Sequence, residues 1–190
     1  MRNLFLLITA LLFSTGVFAQ TTWKSDPMHS KLAFSTTHLG ISDVAGLFKT
    51  FDVTVVTNKS DFSDATFELS VDVNSINTEV EMRDNHLRSA DFFDVGTYPA
   101  MTFKSTGIKK AGKDRYKVSG NLTMHGVTKP VTMDLWYRGT VVNPQSKAQT
   151  AGFKLTGVLK RSAFNVGPNF PPPMISDEVQ IFADGEFIKQ

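Results

Sequence analysis

The sequence predicts an all-β protein in which eight antiparallel strands close into a barrel, with one helix between the third and fourth strands. Apolar residues recur at every second position in eight separate runs, which is the period of a strand with one buried face. Short polar connections join most of these runs, and such connections favour antiparallel neighbours over crossovers. Eight is also the strand number at which a closed barrel is just wide enough to hold one small ligand.

The third run shows the alternation most clearly, because Phe67 and Leu69 lie between the polar residues Thr66, Glu68 and Ser70. Every run is assigned an inward face in this way, and a slip of one residue would invert the assignment. The eight predicted strands are centred on residues 32–38, 51–55, 65–73, 101–103, 116–124, 131–137, 153–159 and 179–187.

Inward apolar side chains can fill a barrel or line a cavity within it, and alternation does not distinguish the two. Small barrels are usually filled by their own side chains, so the pattern alone favours a filled interior and leaves a cavity as the alternative. If a cavity exists, flexible methionines such as Met101, Met124 and Met133 suit an adaptable lining. The candidate lining residues are Phe34, Phe51, Val53, Phe67, Leu69, Phe103, Leu122, Met133, Leu135, Phe153 and Leu155.

The predicted helix begins at a capping box formed by Thr78 and Glu81 and ends near Ala90. Arg83 and Asp84 fall on the face that is expected to lie against the barrel, where charged groups need partners. We interpret them as a hydrogen-bonded network that pins the helix over one end of the barrel. Ligand recognition by the same residues is the alternative.

The N-terminus has the features of a secretory signal peptide. A short basic start at residues 1–3 precedes an apolar run at 4–13, and residues 17–19 (VFA) suit cleavage before Gln20. The run is too short for a stable membrane span, although an uncleaved membrane helix is the alternative. We therefore expect residues 1–19 to be removed and residues 20–190 to form one exported domain, in the periplasm or the medium.

Composition excludes several classes of protein. The chain has no cysteine, so it has neither a disulfide nor a lipid-modified N-terminal cysteine. The formal net charge is +2, which gives no field of one sign and makes nucleic acid an unsuitable partner. The mature chain has no stretch long enough for a membrane helix, so we do not expect an integral membrane protein.

The residues that would carry catalysis or metal binding do not form a known pattern. The four histidines, His29, His38, His86 and His125, show neither HxH nor HExxH spacing. There is no GxSxG turn and no cysteine nucleophile. We therefore expect no catalytic residue, no metal site and no cofactor, and we interpret the histidines as structural.

Several blocks of sequence resemble the YceI-like polyisoprenoid-binding family. These are residues 26–30 (DPMHS), 83–87 (RDNHL), 89–94 (SADFFD), 120–130 (GNLTMHGVTKP) and 161–164 (RSAF), and they span nearly all of the mature chain. The resemblance implies a lipocalin-like barrel that is exported and whose elongated interior takes up an isoprenoid or another long-chain lipid. A homodimer is compatible with it.

The resemblance also directs attention to a polar end of the ligand. A head group needs cationic or donor groups at the mouth of the barrel, and the candidates are Arg83, His86 and Arg161. The loop at residues 170–173 (FPPP) and the pair at 162–163 fit the family less closely and are expected near a rim. Two other functions stay open: a secreted enzyme acting on lipid or amide substrates, and an interaction protein with a filled barrel.

Overall fold

The first and last strands close the barrel. In the computed structural model, which describes residues 20–190, β1 (Thr21–His38) pairs antiparallel with β10 (Ile175–Lys189) along most of its length. The predicted signal peptide, residues 1–19, lies outside the described residues. Closure confirms the predicted antiparallel barrel, because it leaves no free edge between the first and last strands.

The wall has eight strand positions, as predicted. β2 and β3 pair with the C-terminal and N-terminal parts of β1, so they act as one interrupted strand, and β5 extends β4 by pairing with β2. β4 pairs with β6, and from β6 to β10 each strand pairs with the next one in the chain. The strands between β1 and β10 are β2 (Ser42–Phe48), β3 (Phe51–Thr57), β4 (Thr66–Asp72), β5 (Ile76–Asn77), β6 (Ala100–Gly112), β7 (Arg115–Met124), β8 (Val127–Val142) and β9 (Gln149–Lys160).

Helix α1 (Glu81–Arg88) lies between β5 and β6, as predicted, but its predicted capping box is wrong. The N-cap residue is Val80, whose side chain makes no capping bond. Thr78 instead donates its backbone N–H and its hydroxyl to Asp84, at 2.8 and 2.5 Å. The helix also stops before Ala90, because Ser89 has an extended backbone.

A hydrogen-bonded network holds α1 in place, which confirms the structural interpretation of Arg83 and Asp84. Asp84 is buried, and its carboxylate accepts the two bonds from Thr78. Arg83 donates from Nε to the Thr78 hydroxyl and from Nη2 to the Thr78 carbonyl, both at 2.7 Å. The buried carboxylate is therefore satisfied, as buried charges must be.

One end of the barrel is filled by aromatic side chains, and we call it the filled end. Phe62, from the loop between β3 and β4, is 1% exposed, and its ring centroid lies 5.4 Å from that of Trp23 and 4.9 Å from that of Phe153. Tyr116 donates its hydroxyl to the Asp61 carbonyl at 2.5 Å and so ties this loop to the wall.

The opposite end is covered by α1 and by the segment between β9 and β10, which starts with a short 3-10 helix, Arg161–Phe164. Arg161 is buried and organises this segment, because its five N–H groups all donate to backbone carbonyls. Burial lowers the pKa of Arg161, and the charge of Asp177 opposes the change. The acceptors are the carbonyls of Val166, Gly167, Phe170, Ile175 and Ser176.

We predict that Arg161→Gln lowers the free energy of unfolding by about 3 kcal/mol, because several carbonyls lose a charged donor. Chemical denaturation followed by tryptophan fluorescence measures the change. Arg138→Gln is the matched control, since the Arg138 side chain is 49% exposed and lies 3.6 Å from Asp184. The control should lose less than about 1 kcal/mol. Equal losses in the two variants would contradict this role for Arg161.

Candidate ligand-binding cavity

The interior between the two ends is hollow and consists of two adjoining chambers. The outer chamber, of about 360 Å³, lies beneath α1 and the segment between β9 and β10. The inner chamber, of about 160 Å³, lies next to it and extends towards the filled end. We call the boundary between them the neck, and the residues that line both chambers are Phe34, Phe48, Met101, Leu159 and Ile181.

All eleven lining residues predicted from the alternation line the inner chamber. The predicted inward face is therefore correct on every strand that contributes one of them. Their role in binding a ligand stays a prediction. An apolar cavity of about 150 Å³ stays dry and takes up small hydrocarbons. The eleven are Phe34, Phe51, Val53, Phe67, Leu69, Phe103, Leu122, Met133, Leu135, Phe153 and Leu155.

Three inward glycines explain why the interior is not filled. At each of them a large inward side chain from a neighbouring strand lies over the glycine, and a Cβ atom built there would overlap it. The large side chains therefore lie along the wall instead of across the barrel. The pairs are Phe34 on Gly46, Phe103 on Gly120 and Met133 on Gly157.

The outer chamber is larger and carries the polar groups. Its volume lies in the range of about 300–1,000 Å³ that is typical of small-molecule sites. Among the described residues that line it none is acidic, whereas Arg83, His86 and Arg161 all line it, together with His38 and Thr78. The structure thus brings the three predicted head-group candidates to one chamber, whose described lining has cationic side chains and no carboxylate.

These candidates differ in what they can still bind. All five N–H groups of Arg161 are hydrogen-bonded to backbone carbonyls. His86 lies 3.1 Å from the Asp91 carboxylate through Nε2 and is half exposed. Arg83 uses Nε and Nη2 on Thr78, and among the described residues no group accepts a bond from its Nη1. Of the two arginines, Arg83 is therefore the one with donor capacity left for a ligand.

Sequence reasoning missed part of the outer chamber. Phe92 and Phe170 stack with their ring centroids 4.7 Å apart, and Met174 and Ile175 complete that wall. These residues lie in turns or at a strand end, where no period marks the inward face. For Phe170 the available signal was the FPPP loop, which was expected near a rim and does place this residue at the chamber.

The remaining histidines are hydrogen-bonded or peripheral. His29 lies 2.8 Å from Asp26 on the outside of the barrel, and this bond lowers the pKa of Asp26 and raises that of His29. Glu186 lies near this exposed pair. His125 contacts the Phe164 carbonyl at 3.2 Å.

In the described part of the chain, no helix combines the length and the hydropathy that crossing a bilayer requires.

Known proteins share this sequence and this fold. The sequence profile of the YceI-like domain matches residues 23–187. Protein YceI of Salmonella arizonae is 36% identical over 185 residues, which cover 96% of this chain and 95% of the relative. The crystal structure of Burkholderia cenocepacia BcnA superposes with a TM-score of 0.77 at 29% identity, over 85% of this chain and 98% of that one.

A more distant structure has the same fold. It is a polyisoprenoid binding domain from Saccharophagus degradans, with a TM-score of 0.67 at 16% identity, and the match covers 89% of this chain and 98% of that domain. Together with the profile match over nearly all of the described residues, the full-length similarity to curated YceI proteins shows that this chain belongs to the YceI-like family.

Proposed function

We propose that this protein binds a polyisoprenoid or a similar long-chain amphiphile and carries it without changing it chemically. The apolar tail occupies the inner chamber and the neck, and the polar end lies in the outer chamber beside Arg83. The observation that carries this proposal is the order of the two chambers, because one apolar chamber lies towards the filled end and the other, at the opposite end, contains Arg83. The similarity in fold to a polyisoprenoid binding domain from Saccharophagus degradans agrees with it.

Hydrocarbon burial is sufficient to give useful affinity. Each methylene moved from water into an apolar lining contributes about 0.8 kcal/mol, so ten of them give about 8 kcal/mol before the entropy of association is subtracted. Affinity therefore requires no specific polar contact, and ligands with different heads can share one tail site. The contact of the head group with Arg83 then determines how the ligand is oriented in the cavity.

The outer chamber favours binding over turnover. Its lining hydroxyls belong to Thr36 and Thr78, which are hydrogen-bonded to Ser176 and Asp84 respectively. Neither is paired with a histidine that could act as a general base. The proposal therefore assigns no catalytic residue. A homodimer stays a prediction.

We also propose that the protein is exported after cleavage before Gln20. Because β1 begins at Thr21, such cleavage leaves every described strand intact. The expected result is recovery of a protein that starts at Gln20 from the periplasm or the medium of a bacterial host, as read by N-terminal sequencing. Recovery of the uncleaved chain from the membrane fraction would contradict export.

Ligand carriage predicts that the protein purified from a bacterial host contains a bound lipid. Native mass spectrometry should show adducts that organic solvent removes, and added farnesol should raise the melting temperature of the stripped protein. The recovered ligand should be chemically unchanged after long incubation, which separates a carrier from an enzyme. Repeated recovery of empty protein, with no effect of farnesol on melting, would remove the basis of the proposal.

We predict that Leu155→Trp weakens farnesol binding at least tenfold, because the indole occupies space in the inner chamber. Its overpacking cost is about 1–3 kcal/mol, so the variant should still fold. Val158→Trp is the matched control on the same strand, since Val158 faces outward and is 48% exposed. Titration calorimetry compares the two. Equal affinities would show that the inner chamber does not hold the tail.

We predict that Arg83→Gln weakens binding of lauric acid about tenfold but changes binding of lauryl alcohol much less, because the bond lost with the carboxylate is charge-assisted. Arg138→Gln, on the outer wall, is the control and should change neither affinity. Equal losses for the acid and the alcohol would show that Arg83 acts only through the position of α1.

A further inference from the structure

We infer that Phe34 and Gly46 form a gate between the two chambers and so set the length of tail that the protein accepts. This inference rests on the proposed function, because it describes how a bound tail passes from the outer to the inner chamber. It assigns specificity for tail length to a phenylalanine and a glycine, neither of which offers a polar side-chain group.

Phe34 occupies a central position in the neck. It lines both chambers, and in the sheet it lies opposite Gly46 of β2 on one side and Ile181 of β10 on the other. A tail that extends from the outer to the inner chamber must therefore pass the Phe34 ring.

The ring is held to one side because Gly46 has no side chain. A Cβ atom built at Gly46 would overlap the Phe34 ring and would lie 2.8 Å from the Thr78 methyl group. The φ angle of Gly46 lies outside the left-handed region, so its backbone is one that alanine also adopts. Glycine is needed at this position for the space that it leaves to the ring.

An added methyl group at position 46 would displace the ring towards the neck. Thr78, on the far side of the methyl group, is fixed by Arg83 and Asp84. The Phe48 ring lies 5.7 Å from that of Phe34 and limits movement along the wall. The ring therefore turns into the passage and separates the inner chamber from the outer one.

Affinities for geraniol, farnesol and geranylgeraniol, measured by calorimetry, test this gate. In the unmodified protein the affinity should rise by up to about fourfold for each methylene buried, until the inner chamber is full. Gly46→Ala should lower the affinity for geranylgeraniol at least tenfold more than the affinity for geraniol, because only the longer tail has to pass the neck. Gly107→Ala is the matched control, because a Cβ atom at Gly107 meets no atom within 4 Å.

Two further variants keep the test independent of the stability of Gly46→Ala. Phe34→Leu in the Gly46→Ala background should restore the preference for geranylgeraniol over geraniol, and Phe34→Leu alone should raise the ratio of the geranylgeraniol affinity to the geraniol affinity. If the affinity depends on alcohol chain length in Gly46→Ala as it does in the unmodified protein, or if all three alcohols lose the same affinity, the gate is overturned. Either result leaves the proposed function intact. Failure of the unmodified protein to bind any of the three alcohols would instead overturn the proposed function.

Discussion

The space along the inner wall is the constraint on which the rest of the structure depends. An eight-stranded barrel is narrow, and inward side chains of ordinary size fill it. Here Gly46, Gly120 and Gly157 leave room at the wall, and Phe34 and Met133 are among the large side chains that occupy this room. The volume that these side chains vacate along the axis becomes the two chambers. The chambers exist because glycines and large residues pack side by side on neighbouring strands.

A hollow barrel loses packing contacts, so its stability must come from elsewhere. The filled end provides it, since Phe62 is almost completely buried and its ring packs against Trp23 and Phe153. The opposite end is held differently, by hydrogen bonds from Arg161 to the backbone and by the network around Asp84. One end is therefore closed by a packed core, while the other is closed by α1 and the segment between β9 and β10, with the outer chamber beneath them.

Alternation predicted the strands and the inward faces, because a period of two fixes the face of every residue once one is assigned. It could not decide between a filled and a hollow interior: whether the Phe34 ring crosses the barrel depends on Gly46, which lies on another strand. The capping box failed for a similar reason, because the Thr78 hydroxyl donates to Asp84 and accepts from Arg83 instead of from a backbone N–H of the first helical turn. Phe170 lies in a loop without a period, so only the loop's expected position near a rim pointed to it.

The two arginines of the outer chamber show how similar residues take different roles. Each was predicted as a head-group ligand, yet the N–H groups of Arg161 are all used within its own segment. Arg83 keeps Nη1 without an acceptor among the described residues, in a chamber whose described lining has no acidic group. A guanidinium N–H needs an oxygen, and here that oxygen must come from water or from the ligand. In the function proposed above, an amphiphile that enters tail first supplies this oxygen, and the position of Arg83 then determines which end of the ligand stays outermost.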